Sequence, residues 1–238
     1  MKYITLFEQQ TAFDNAKSTL DKPNMSLVTE TGNVYSLAVG GGVKYEYVDL
    51  GLSVKWAKCN VGAEKETDAG LYFAWGETTG YTASQVGTDK QFSWSDYKYG
   101  NSSSNLTKYN QSDGKTVLES ADDAASQIMG GDWRMPTKDE FQELLDNTDK
   151  LWTTINGVSG YKFTSIKEGY QNNSIFIPAA GYCGSGSVSN VGRNGSVWSS
   201  SLYTSNPGSA WYLNFGSGSC GMSSGGRYIG RSVRGVRK

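Results

Sequence analysis

The 238-residue chain predicts an α+β fold, and three features carry that reading. A capped amphipathic helix stands mid-chain. Short strand-like runs separated by turns fill the stretch after residue 174. Glycine (30 residues) and tyrosine (15 residues) are both abundant, which points to many turns, short strands and aromatic contact surface. Helices placed early and strands late favour α+β over alternating βαβ units.

Residues 1–44 read as a small α/β appendage. Phe13, Ala16 and Leu20 fall at i, i+3 and i+7, which predicts a short helix over about residues 8–20, ended by Lys22-Pro23-Asn24. Ser26–Thr29 and Val34–Val39 flank Glu30-Thr31-Gly32-Asn33 as a hairpin, and Gly40-Gly41-Gly42 forms a joint. A unit of this size has a thin core, so it is expected to lean on the main domain, 45–238, or on another chain.

Tyr72-Phe73-Ala74-Trp75-Gly76 and Phe92-Ser93-Trp94 read as buried anchors, and residues 100–113 as a polar loop. Ser120 is expected to cap a short helix with Asp122 and Asp123 in its first turn. Trp133-Arg134-Met135-Pro136-Thr137 leads into the clearest local signal. Thr137 and Glu140 form a capping box, and Phe141, Leu144 and Leu145 make one apolar stripe, predicting a helix from about Lys138 to Asn147. Ile175-Phe176-Ile177 is a short buried run. Trp211, Leu213 and Phe215 alternate with Tyr212 and Asn214, so that strand buries one face. Ser232–Arg237 reads as a closing strand.

The charge and cysteine content exclude several functions. Net charge is −1, but residues 1–168 carry −7 and residues 169–238, with no Asp or Glu, carry +6. Either the terminal arginines pair with carboxylates of the first part or they attract an anionic partner. No dense Lys/Arg run is present, so nucleic acid is not expected as a partner. There is no histidine, which removes Ser–His and Cys–His catalysis and the commonest metal ligand. Cys59, Cys183 and Cys220 lack Cys-x-x-Cys spacing, so neither a zinc site nor a disulfide framework is expected. No signal-peptide core opens the chain, and no window reaches about 18 apolar residues, so membrane insertion is not expected.

Residues 216–226 are almost wholly Gly and Ser. Composition alone makes them a flexible linker or mobile surface loop. A second reading comes from the genetic code: Asn codons altered only at adenine yield Ser, Gly, Asp, Tyr, Cys, Ile and Arg, the residue types that fill much of 183–231.

The segments Val48-Asp49-Leu50-Gly51-Leu52-Ser53-Val54-Lys55-Trp56-Ala57 and Cys59-Asn60-Val61-Gly62-Ala63 resemble the opening of the Fibrobacter succinogenes major paralogous domain, which is widespread in gut Bacteroidetes and their phages. Tyr72–Thr78, Trp133–Thr137, Phe176–Tyr182, Val197–Ser201 and Ser232-Val233-Arg234 match further blocks in order, so the resemblance spans about 46–237. It implies the C-type-lectin-like fold in its formylglycine-generating-enzyme-like branch. It also implies a variable protein of a diversity-generating retroelement, a phage adhesin or surface-displayed binder with its variable region at about 183–237. The expected partner is then a protein or glycan on a host cell surface, and the expected location the virion or the cell surface. The appendage would serve virion attachment or homo-oligomerisation.

On this reading aromatic anchors such as Trp198, Trp211 and Phe215 hold the backbone while exposed positions vary. The candidate ligand-binding positions are Cys183, Ser185 and Ser187; Ser196, Val197 and Tyr203; Tyr212, Gly216 and Ser219; Cys220, Gly221, Ser223, Ser224 and Gly225; and Tyr228, Ile229 and Arg231. Tyr203, Tyr212 and Tyr228 are the expected hot spots. No catalytic residue, cofactor or metal is expected. A formylglycine-generating enzyme needs a close cysteine pair, whereas Cys183 and Cys220 are 37 positions apart. A calcium-dependent lectin needs carboxylate-bearing motifs that the last 70 residues lack. A virion structural subunit without ligand is the remaining alternative.

Overall fold

The computed structural model describes residues 24–28, 34–38 and 45–238, and the chain divides into two compact units, Met1–Tyr45 and Glu46–Lys238. In the first unit β1 (Asn24–Val28) and β2 (Val34–Ala38) pair antiparallel, with Val28 opposite Val34, which is the expected hairpin. The helix expected over 8–20 and the glycine joint lie outside the described residues.

The second unit is mostly β-sheet with few helices. Its first sheet joins β3 (Tyr47–Val48) and β4 (Lys55–Asn60) to the last strand, β15 (Arg234–Arg237), in the order β15-β4-β3. The two ends of this unit are thereby hydrogen-bonded to each other, as the closing-strand reading expected. Residues 100–113 are not only loop: β5 (Gly100–Ser102) and β6 (Asn105–Leu106) form a small hairpin.

Ser120 does not cap the helix as expected. Ser120–Asp122 is a single 3-10 turn, and Asp123 is the cap of α1 (Ala124–Met129). Asp123 accepts hydrogen bonds from the backbone N–H of Ser126 (2.8 Å) and of Met135 (2.8 Å). Its short carboxylate sits at the helix start, whereas Ser120 lies a turn too early. α2 (Lys138–Asp146) begins as expected: Thr137 Oγ1 accepts from the Glu140 N–H and Glu140 Oε2 from the Thr137 N–H. Phe141, Leu144 and Leu145 are buried.

After α2 come three further antiparallel sheets. One is β7 (Thr148–Ile155), β8 (Val158–Ser165) and β9 (Ser174–Pro178). Next is the hairpin of β10 (Tyr182–Gly184) and β11 (Ser187–Ser189), followed by β12 (Asn194–Leu202), β13 (Ser209–Gly216) and β14 (Ser219–Gly226). β14 is the Gly/Ser segment, so the linker and mobile-loop reading is overturned: eight consecutive residues pair with β13 from Ser219↔Gly216 to Gly226↔Ser209. The ladder to β13 satisfies the backbone groups on one edge of this strand, and β13 supplies the apolar side chains that the segment lacks.

Two clusters form the core. One gathers Trp75, Tyr72, Phe73, Tyr109, Cys183 and Trp198. The other gathers Trp56, Phe141, Phe163, Ile175, Leu213 and Phe215. The terminal sheet lies between them, with Val197, Leu213 and Phe215 turned toward the second cluster and Trp198, Leu202 and Ala210 toward the first. Each fully buried Leu, Val or Phe contributes about 1.5–3 kcal/mol, so this sheet is held mainly by side chains of β12 and β13.

Candidate site on the terminal sheet

The ladder decides which candidate residues share a surface. Side chains alternate across a strand, and cross-strand partners point the same way. Tyr212 is opposite Trp198 and Ser223, Asn214 is opposite Ser196 and Gly221, and Gly216 is opposite Asn194 and Ser219. Ser196, Tyr212, Gly216, Ser219, Gly221, Ser223 and Gly225 therefore lie on one face, called here the Tyr212 face. It is closed at Ala210 and opens progressively through Tyr212 and Asn214 to the exposed Ser219.

Five candidates belong elsewhere. Val197, 1% exposed, points into the core beside Leu213 and Phe215, and Cys220 packs on the same cluster. Ser224 is opposite Trp211 and shares that reverse face. Cys183 is 0% exposed in the other cluster. The reason is the period of two: a contiguous stretch of a paired strand cannot present every side chain to one side. Tyr203 is also displaced. It packs edge-on against Trp211 at 5.1 Å, with Lys138 Nζ 4.5 Å from that Trp211 ring, on the reverse side of the sheet.

The remaining candidates flank the face. Ser185 and Ser187 are exposed on the β10–β11 hairpin, which an antiparallel bridge from Cys183 to Gly230 ties to the segment after β14. Ile229 and Tyr228 are half-buried there, and Tyr228 rests on Trp94 at 4.8 Å. Tyr182, Asn190, Asn194, Tyr212, Asn214, Ile229 and Arg231 line a depression of about 310 Å³. A second depression of about 580 Å³ opens at the β13–β14 turn against Trp152 and Arg193. Tyr182, Asn190, Asn194 and Asn214 were missed from sequence. Asn214 was detectable, because it alternates with the buried Leu213 and Phe215.

The framework beneath is fixed by buried polar contacts. Trp198 Nε1 donates to the Phe73 carbonyl (2.9 Å) and Trp75 Nε1 to the Ser199 carbonyl (2.9 Å). Arg227, directly after β14, is 0% exposed, with Nε donating to Tyr97 Oη (2.8 Å), Nη1 to the Tyr109 and Pro207 carbonyls and Nη2 to the Lys108 carbonyl. Its guanidinium also sits 4.9 Å over Trp75. Below it, Asp122 accepts from Tyr99 Oη, Tyr109 Oη and Lys108 Nζ. Burial raises the Asp122 pKa, but the hydrogen bonds from Lys108, Tyr99 and Tyr109 outweigh it and bring the carboxyl down to about 2.

Among the described residues, the expectation that terminal arginines pair with carboxylates holds only for Arg237, which meets Asp132 at 2.9 Å. Arg227, Arg231 and Arg234 are buried and form no ion pair with a described residue. Burial pushes the Arg231 and Arg234 guanidiniums down to about 10, so both remain charged at neutral pH.

Cys183 and Cys220 belong to different core clusters, and burial pushes both thiols up to about 12. Among the described residues no group of three or more His, Cys, Asp or Glu side chains converges, and no helix is long and apolar enough to cross a membrane. No curated protein and no solved structure matches the chain. A family match covers residues 47–237, nearly the stretch over which the ordered motifs were read, and on that match the chain belongs to the Lcl C-terminal domain family.

Proposed function

We propose that this chain is a ligand-binding protein rather than an enzyme, built on a C-type-lectin-like scaffold with the Tyr212 face as a diversified binding surface. The observation that carries the reading is the segregation of side chains within one sheet. Leu213, Phe215 and Val197 are buried on one side, while Asn214, Gly216, Ser219, Gly221 and Ser223 are accessible on the other. A surface meant to change needs that arrangement, since exposed substitutions usually shift stability by no more than about 0.5 kcal/mol. Membership of the Lcl C-terminal domain family is consistent with a variable C-terminal binding domain of a retroelement target. The finer resemblance to the Fibrobacter succinogenes major paralogous domain supports a phage or cell-surface adhesin that meets a host-surface protein or glycan.

Tyr212 and Tyr228 supply rigid contact area with few rotors, and the Gly and Ser positions leave room for a ligand to approach the sheet. The separate burial of Cys183 and Cys220 argues against the formylglycine-generating alternative, because a nucleophilic pair must be close and ionisable. Deep sequencing of this gene in a propagated population tests the proposal. Adenine-templated changes concentrated in the codons of the Tyr212 face are expected. Changes spread evenly, or falling on Leu213 and Phe215, would overturn it.

A further inference from the structure

Three arginines near the end of the chain are buried without a carboxylate, but they are not alike. Arg227 gives its donors to four acceptors, as described above. Arg234 does the same, with Nε to Asn60 Oδ1 (2.9 Å), Nη1 to the Ala57 and Lys58 carbonyls and Nη2 to the Phe176 carbonyl (2.9 Å). Both are structural struts. Arg231 donates from Nη1 to Ser196 Oγ and has the Tyr212 side chain as a second polar neighbour, but its Nε has no acceptor among the described residues. Trp56 Nε1 is the other buried side-chain atom without a partner among the described residues.

Arg231 is also the buried arginine that lines the 310 Å³ depression, where it is 6% exposed. Its guanidinium is stacked 3.6 Å from the Tyr212 ring and 4.7 Å from Trp198, with Tyr182 at 5.8 Å. Stacking occupies its faces and leaves its edges. A buried cation with spare donors and no counter-charge is costly, and an anion entering the pocket removes that cost. No Asp or Glu occurs after Glu168, so this region supplies no internal counter-ion.

The rest of the lining defines the ligand further. The Asn190 and Asn214 amides and the Tyr182 hydroxyl form no hydrogen bond with a described residue, while Tyr182 and Tyr212 contribute aromatic surface. We propose that the depression is a subsite for the carboxylate of an acidic sugar. Arg231 supplies the charge, the tyrosines the apolar ring contacts and the asparagines the hydroxyl contacts. A planar carboxylate matches a guanidinium edge held between aromatic rings, and uncommitted amides suit hydroxyl groups. The inference rests on the reading of the Tyr212 face as a binding surface and names the chemistry of its ligand.

The test is titration of the whole protein with glucuronate, glucose, sulfate and an aspartate-containing peptide at matched ionic strength, followed by melting temperature and by the Arg231 Nε–H resonance. Glucuronate is expected to saturate, raise Tm and move the Arg231 signal, with binding at least tenfold stronger than for glucose or sulfate. Asn214→Asp places a carboxylate at the pocket and is expected to weaken glucuronate at least tenfold while keeping the fold. Equal response to glucose and glucuronate overturns the proposal, as does unchanged affinity in Asn214→Asp. Sulfate or the acidic peptide binding as well as glucuronate overturns the ligand class. Codon diversification of the Tyr212 face can still be observed after any of these failures, so the two readings fail separately.

Discussion

Two glycines on opposite faces of the terminal sheet should respond in opposite ways to the same added methyl group. Gly195 lies opposite Phe215, and a Cβ built on it falls inside the van der Waals envelope of that ring. Phe215 cannot retreat: it is 0% exposed, with Tyr161 at 5.4 Å and Trp152 at 6.4 Å from its ring. Gly195→Ala therefore overpacks a rigid site, which costs about 1–3 kcal/mol. Gly221 lies opposite Asn214 on the other face, has an ordinary negative φ, and a Cβ built on it meets nothing within 4 Å. Gly221→Ala should be neutral or stabilising by about 0.4–1 kcal/mol, chiefly by restricting the unfolded chain. For a unit of this size each kcal/mol moves Tm by about 2–4 °C, so Gly195→Ala should melt about 2–12 °C lower. Urea and thermal denaturation of the two variants measure this directly. Equal loss in both, or a neutral Gly195→Ala, would refute the division of the sheet into a fixed face and a free one.

Other consequences follow from the same structure. Leu213→Ala removes a fully buried side chain between β12 and β14 and should cost about 2–5 kcal/mol by urea denaturation; a loss below 1 kcal/mol would count against its framework role. Asp122 has a folded-state pKa of about 2 against an ordinary 3.8, so its stabilisation is complete above pH 4 and is lost as pH falls through 2. The shift corresponds to about 2 kcal/mol, and Asp122→Asn should flatten that part of the acid-unfolding profile; an unchanged profile would refute the assignment. Cys183 is fully buried, with its thiol pushed up to about 12, and should resist iodoacetamide at pH 7.5 in the native protein; rapid labelling would show that the β10 hairpin opens.

What was legible from sequence was the set of elements whose own side chains define them. The capping box at Thr137 and Glu140 located α2, the alternation of Leu213 and Phe215 located β13, and the Val34 strand located the N-terminal hairpin. β14 was harder to read because only Cys220 and Met222 carry an apolar pattern, and what makes it a strand is a ladder to another part of the chain. For the same reason the site was recovered only in part. Choosing both parities of residues 219–225 brought in Cys220 and Ser224, whose side chains go to the reverse face. The difference between Arg231 and its buried neighbours Arg227 and Arg234 had no sequence signal, because it depends on which carbonyls the fold brings near each guanidinium.

A displayed library with Asn214, Gly216, Ser219, Gly221 and Ser223 randomised together, selected against a panel of unrelated proteins and glycans, tests the central claim most directly. A matched library at the exposed β7 positions Asp149, Leu151 and Thr154 serves as control. The account predicts that most members of the first library resist proteolysis and that it yields specific binders which the control does not. A first library that is largely unfolded, or that binds no better than the control, would contradict it.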